Sequence, residues 1–317
     1  MPLNRTDHLQ PNRRQAIQLA AGAAVASQVG RSATAAAPAS RDPANRRIRQ
    51  SIVHWCFGSH GEKWSVERTC QVAQELGYES VELISPENLP FLQKYELTCA
   101  IVGVPVSPGP AFMRGFNNPE FHPMLIENTK KSIDYAADNG FPNVIAFTGF
   151  SAKDVTKADG PHWTREEGAN HCVEGFQRVM DYAEQKKVNV CLEMLNSRDA
   201  EQMKGHPGYQ GDHTDYCIEI IKRVNSERMK LLFDIYHVQI MDGDVIRRIR
   251  EHAKYIGHVH TAGNPGRREL DDQQEINYPP IMRAFQEVNY QGFVGQEFIP
   301  TGDPYKGLKE AFAICDV

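Results

Sequence analysis

Eight short runs of β-branched and apolar residues recur along this chain, with room for a helix between most neighbours. They are SIVHWCF (51–57), SVELI (80–84), TCAIVGV (98–104), NVIAFTG (143–149), VNVCLEML (188–195), KLLFDIYH (230–237), YIGHVHTAG (255–263) and GFVGQEFIP (292–300). Among the intervening stretches, VERTCQVAQELG, IENTKKSIDYAADNG and VEGFQRVMDYAEQKK repeat apolar residues at three- and four-residue spacing, the pattern of an amphipathic helix. Strand and helix signals alternating eight times over roughly 270 residues predict a (β/α)8 barrel, an α/β fold. An open doubly wound sheet also alternates, but no GxGxxG follows the first run, so a dinucleotide-binding version lacks support. Gly77, Gly140 and Gly292 precede runs at positions where helix C-terminal caps are expected. The irregular segments 105–121, 150–166, 196–211 and 263–277 follow runs, which in a barrel places them at the C-terminal mouth where active sites form.

The barrel pattern occupies residues 48–317, one domain, and the first forty residues differ from it. Arg13-Arg14 precedes the weakly apolar AIQLAAGAAVASQVG, followed by the small-residue stretch ATAAAPAS. A charged region, an apolar region and a cleavage zone in that order resemble a twin-arginine export signal, which implies handling by the twin-arginine export machinery and a periplasmic destination. The apolar run is 15 residues, short of the ~20 that a membrane-spanning helix needs. Seven cysteines without CxxC spacing, several within apolar runs, are expected as buried thiols rather than a disulfide framework. A net charge of −5 gives no basic surface for nucleic acid, and a small molecule is the expected partner.

The last four runs carry the chemistry. Glu193 in CLEML, Asp234 in LFDIYH, His260 in GHVHTAG and Glu297 in GQEFIP each stand near the C-terminal end of an otherwise apolar run. Any one of them alone reads as a cap, a salt-bridge partner or a hydrogen-bonded histidine. Together, on successive strands of a closed barrel, they would converge at the mouth, and a buried carboxylate is costly unless paired or bound to a cation. One divalent ion would satisfy all four. Three carboxylates and one imidazole favour Mn²⁺ or Mg²⁺, with Zn²⁺ or Co²⁺ also compatible.

The segments LLFDIYHVQIMDGD, HVHTAGNPGRRELDDQQEINYPPI and VNYQGFVGQEFIPTGD resemble the hydroxypyruvate isomerase family, part of the xylose-isomerase-like barrel superfamily of sugar isomerases and epimerases. The likeness runs over residues 50–315 and is strongest from Glu193 onward. It implies that Glu193, Asp234, His260 and Glu297 ligate one metal ion, that Glu193 and Glu297 form the acid/base pair, and that His237 and Arg267 contact the substrate. The implied substrate is a sugar or hydroxy-keto acid, and a homo-oligomer is compatible with the resemblance. His260 is a departure, since the better-known hydroxypyruvate isomerases carry Gln there while ketose 3-epimerases carry His.

The resemblance leaves three further readings: a ketose 3-epimerase or inosose dehydratase-like enzyme on the same metal site, a metal-dependent apurinic-site endonuclease, and an exported barrel that only binds sugar. The acidic chain weighs against the endonuclease, and the presence of both acid/base glutamates weighs against the binding protein. His237 stands three residues after Asp234, so its role requires the strand to end there. His258 and His260, two apart, should face the same side. With four ligands already assigned, His258 is expected one layer deeper as support. Glu82, His54, Trp55, Trp163 and His206 lie where they could line the mouth, with packing or structural roles equally compatible.

Overall fold

Ile52, Val53, Val144, Leu231, Leu232 and Phe233 have no exposed surface. A parallel strand covered by helices on one side and by the barrel interior on the other has no solvent face, which is why these segments read as continuous apolar runs. In the computed structural model, which describes residues 48–317, they form a seven-stranded parallel sheet. The strands are β1 (Arg49–Val53), β2 (Ser80–Glu82), β3 (Asn143–Phe147), β4 (Asn189–Glu193), β5 (Met229–Asp234), β6 (Ile256–Thr261) and β7 (Phe293–Gln296). Their order is β2-β1-β7-β6-β5-β4-β3. The export segment and its boundary with the barrel domain lie outside the described residues.

Eight strands are expected from the runs, and seven form. The third run pairs only at isolated positions, Thr98 with Ser80 of β2 and Val102 with Val144 of β3. Those bridges, with Leu83 N–H donating to Ile101 O and Ile145 N–H to Val102 O, still fill the gap between the two edge strands. The eighth position of the barrel is therefore occupied by irregular chain. Between its two bridges the segment bends, and Cys99 Sγ turns back onto Ile101 O.

The helices are α1 (His54–Ser59), α2 (Val66–Leu76), α3 (Leu89–Lys94), α4 (His122–Asp138), α5 (Arg165–Lys186), α6 (Thr214–Val224), α7 (Ile235–Met241), α8 (Val245–His252), α9 (Tyr278–Glu287) and α10 (Pro304–Cys315). Around the sheet, α4 packs on α5, α5 on α6, α8 on α9, and α10 on both α9 and α2. Thr164 and Glu167 start α5 with a reciprocal capping box. Gly77 ends α2 in the left-handed conformation, as its position predicts. After α9 the left-handed residue is Asn289 rather than Gly292, because the chain reverses one turn earlier. All seven cysteines are buried and unpaired. Among the described residues, no helix is long and apolar enough to cross a membrane.

Two layers of apolar packing result. The main core fills the space between sheet and helices, and a small separate cluster of Ile101, Ile145, Cys191 and Leu232 is fully or almost fully buried. Side chains two apart on a strand share a face. Cys191 and Leu232 thus put Glu193 and Asp234 on the same face as this small cluster, one step nearer the C-terminal ends.

Candidate active site

Parity and register build the site. Asp234 of β5 is paired with His260 of β6, and His260 with Gly295 of β7. Glu297 follows β7 directly, and its N–H still donates to Thr261 O at 2.9 Å, so the carboxylate continues the strand's alternation. Glu193 ends β4. These placements bring Glu193, Asp234, His260 and Glu297 together, with one ligand-type atom from each lying within 4.8 Å of the others and all four residues buried.

The hydrogen bonds assign the histidine tautomers. His260 Nε2 lies 3.0 Å from Glu82 Oε1, and His258 Nε2 lies 3.1 Å from the same oxygen. A carboxylate only accepts, so each histidine carries its proton on Nε2. His260 Nδ1 faces the cluster, 2.9 Å from Glu297 Oε2 and 3.6 Å from Glu193 Oε1, where a neutral ring offers a lone pair and a charged ring a second N–H. Neither His260 Nδ1 nor Glu193 Oε1 has a partner of hydrogen-bond geometry, although both are buried. Three buried carboxylates around this nitrogen are unfavourable without a positive charge among them, supplied by a proton on the ring or by a metal ion. The donor set, carboxylate oxygens plus one imidazole nitrogen held by a carboxylate behind it, fits a divalent ion.

Electrostatics carry the same demand. Burial opposes protonation of His260, yet Glu297, Glu193 and Glu82 raise its pKa well above the ordinary value. Burial, and then the charge of Glu297, push Asp234 up to about 8. Burial likewise raises Glu193. Glu297 goes the other way: burial opposes its charge, but Arg267, His260 and Trp55 hold it well below the usual range. Glu82 is also desolvated, and His258 and His260 still bring it down to about 2.

His237 stands in the first turn of α7, so the strand gives way to a helix at this point. Asp234 is that helix's N-cap, with Oδ1 accepting from Tyr236 N–H at 2.8 Å and His237 N–H at 3.2 Å. The Nδ1 of His237 accepts from the backbone N–H of Asn196 at 3.1 Å. Its remaining nitrogen, Nε2, must carry the proton; it is buried, has no hydrogen-bond partner and lies 3.6 Å from Asp234 Oδ2. A neutral imidazole thus presents one unused donor to the ligand cluster.

Arg267 is 2 % exposed. Its guanidinium donates to Glu297 Oε2 at 2.6 Å and to Met203 O at 2.6 Å, and lies over the Trp55 ring at 5.2 Å. The turn at Asn264-Pro265-Gly266 swings the arginine inward with a φ of 52°. Arg267 is therefore engaged by a carboxylate of this cluster, with its Nε still unpaired.

Trp55 sits on α1 rather than at a strand end, and its Nε1–H donates to Glu297 Oε1 at 2.8 Å. His206 is buried with its ring 4.2 Å from Phe112 and 6.0 Å from His237, so it belongs to the wall of the site. Phe112 carries no signal in the sequence, being one aromatic in an irregular loop. Trp163 does not join this group: its ring contacts His171 and Lys153. His54 bonds Thr69 instead of facing the ligands.

Residues 70–315 match the family described as a xylose isomerase-like TIM barrel. The chain belongs to that family. Among relatives of the chain, a putative hydroxypyruvate isomerase of Homo sapiens is 29 % identical over 182 residues, 57 % of this chain and 62 % of the relative. A 2-oxo-tetronate isomerase of Cupriavidus necator is 36 % identical over 121 residues, 38 % of this chain and 44 % of the relative. The chain thus spans about half the length of the curated relatives it matches. Of solved structures, a family 2 AP endonuclease from Brucella melitensis superposes with a TM-score of 0.70 at 25 % identity, covering 83 % of this chain and 96 % of the other.

Proposed function

We propose that this protein is an isomerase of small α-hydroxy carbonyl compounds, of the type that converts hydroxypyruvate to tartronate semialdehyde. The observation that carries the reading is the pairing of two buried glutamates, Glu193 and Glu297, within one four-residue ligand cluster that also faces an unused His237 donor. The names of the human and Cupriavidus relatives support an α-keto acid as the substrate class.

Glu193, Asp234, His260 and Glu297 would hold one divalent ion, with Mn²⁺ or Mg²⁺ favoured by the oxygen-rich set. The ion would supply Lewis-acid polarisation of the substrate carbonyl and offset negative charge on its oxygens. The protein's own groups handle the protons. One glutamate takes a proton from C3 of hydroxypyruvate, and a proton is returned to C2 from the other. The C3 hydroxyl proton passes to the C2 oxygen, so the C3 hydroxyl becomes an aldehyde and the C2 carbonyl a hydroxyl; no redox partner is needed, and the two glutamates end with their protonation states exchanged. His237 Nε2–H donates to a substrate oxygen, while Arg267 and Trp55 keep Glu297 oriented and ionised. Turnover assays on hydroxypyruvate, a 2-oxo-tetronate and free ketoses, with and without added Mn²⁺, test the reading. Turnover of free ketoses alone would transfer it to a ketose epimerase on the same residues. Export through the twin-arginine route belongs to the same proposal, and replacing Arg13-Arg14 by Lys-Lys should keep the protein in the cytoplasmic fraction.

A further inference from the structure

Glu82 ends β2, separated from β6 by two strands in the order β2-β1-β7-β6. It still reaches both histidines of β6, with a single oxygen receiving His258 Nε2–H at 3.1 Å and His260 Nε2–H at 3.0 Å. None of the three residues has any exposed surface. The strand that would block this reach, β7, carries Gly295 at the crossing. A Cβ there would stand 2.2 Å from Glu82 Oε1 and 2.9 Å from His260 Cδ2. Gly295 lies outside the positive-φ glycines, so its role is room rather than backbone freedom.

A neutral imidazole places its proton on one of two nitrogens. With an acceptor fixed behind Nε2, the proton stays there and Nδ1 offers a lone pair toward Glu193 and Glu297. Without that acceptor the ring is free to turn or to carry its proton on Nδ1, which would put an N–H where an ion needs a ligand. We propose that Glu82, given space by Gly295 and anchored by His258, is a positioning residue that fixes His260 as an Nδ1 metal ligand. This rests on the four-residue metal-site reading. The deeper histidine of the His-Val-His segment acquires a definite role, because its N–H keeps the Glu82 carboxylate from swinging away.

The test uses Mn²⁺ binding, read by electron paramagnetic resonance of free Mn²⁺, in wild type, E82Q, E82L and G295A. Nitrogen-15 NMR of the Zn²⁺-loaded wild type reads which nitrogen of His260 is coordinated. Expected are Nδ1 coordination with Nε2–H retained, and an affinity loss of about 10–100-fold in E82L and G295A. E82Q keeps an acceptor oxygen and should lose less. Mn²⁺ affinity within about twofold of wild type in folded E82L or G295A, far below the range expected for losing such a partner, would overturn the proposal. So would Zn²⁺ on His260 Nε2. If E82L does not fold, G295A and the wild-type NMR decide. A wild type that binds neither ion removes the metal-site reading itself, an outcome separate from equal binding by wild type and variants.

Discussion

The two oxygens of Asp234 divide their contacts around His237: Oδ1 accepts the backbone N–H of His237 at 3.2 Å, while Oδ2 lies 3.6 Å from that residue's imidazole Nε2. The same carboxylate thus starts a helix and belongs to the ligand cluster, and substitution can separate the two roles. Asn is as good an N-cap as Asp, whereas Ala costs about 1 kcal/mol. D234N should lose divalent-ion affinity with stability nearly unchanged, and D234A should lose both. Chelator competition and urea denaturation of the two variants measure the split. Equal destabilisation by Asn and Ala would show that the cap is not what Oδ1 provides.

The proposed mechanism gives proton transfer to Glu193 and Glu297. E193Q and E297Q should each reduce kcat by about 10²–10⁴-fold, the range for loss of a general acid or base, with circular dichroism unchanged. A variant that keeps most of its turnover removes that glutamate from the role.

Removing the ion should loosen the barrel mouth, because Glu193, Asp234 and Glu297 are buried within one cluster that a bound cation would neutralise. At a concentration 100 times Kd, a ligand specific to the folded state adds about 2.7 kcal/mol. For a domain slightly larger than 250 residues that corresponds to a Tm shift of about 5 °C. Thermal melts with chelator and with Mn²⁺ restored provide the measurement, and superimposable curves would contradict the site.

Glu269 supplies a pH dependence away from the ligands. Its Oε1 accepts from Thr301 N–H at 2.7 Å and Gly302 N–H at 3.0 Å, and its Oε2 accepts from the Thr301 hydroxyl at 2.8 Å. Burial opposes the charge, but these donors hold its pKa below the ordinary 4.5. A depressed carboxylate stabilises the fold fully above its unfolded pKa and loses that contribution as pH falls through the folded value. Wild type should therefore exceed E269Q in stability at pH 6–7, by roughly 1 kcal/mol for hydrogen bonds to a charged, partly screened group. The gap should close below pH 4.5, the unfolded reference. Urea midpoints at both pH values check the sign.

His237 should act through its unpaired Nε2–H. H237F removes that donor and also strands the Asn196 N–H, so H237N and H237Q are the better pair. H237N, which keeps an acceptor near Nδ1 but loses the donor at Nε2, should lower kcat/KM by about 10-fold, the effect expected from losing a transition-state hydrogen bond of roughly 1.5 kcal/mol, and H237Q, which places an N–H near Nε2, should lose less. A value for H237N equal to wild type would exclude contact with the substrate.

What is legible in the sequence follows from periodicity and charge burial. Apolar runs locate all seven strands, and the parity of CLEML, LFDIYH and HVHT places four polar groups on one face. The third run misleads because TCAIVGV has strand composition yet pairs at only two positions. His54 and Trp55 read as a strand end, since apolar content cannot tell the last residues of a strand from the first turn of the helix α1. Glu82 and Gly295 are the least visible. Nothing local ties residue 82 to residue 260, and a glycine whose purpose is empty space resembles any other glycine in a strand.

Every thiol in this protein is interior and none is joined to another. The fold therefore owes nothing to the redox state around it. A chain built this way has no bridge to form, break or shuffle, whichever redox environment it meets.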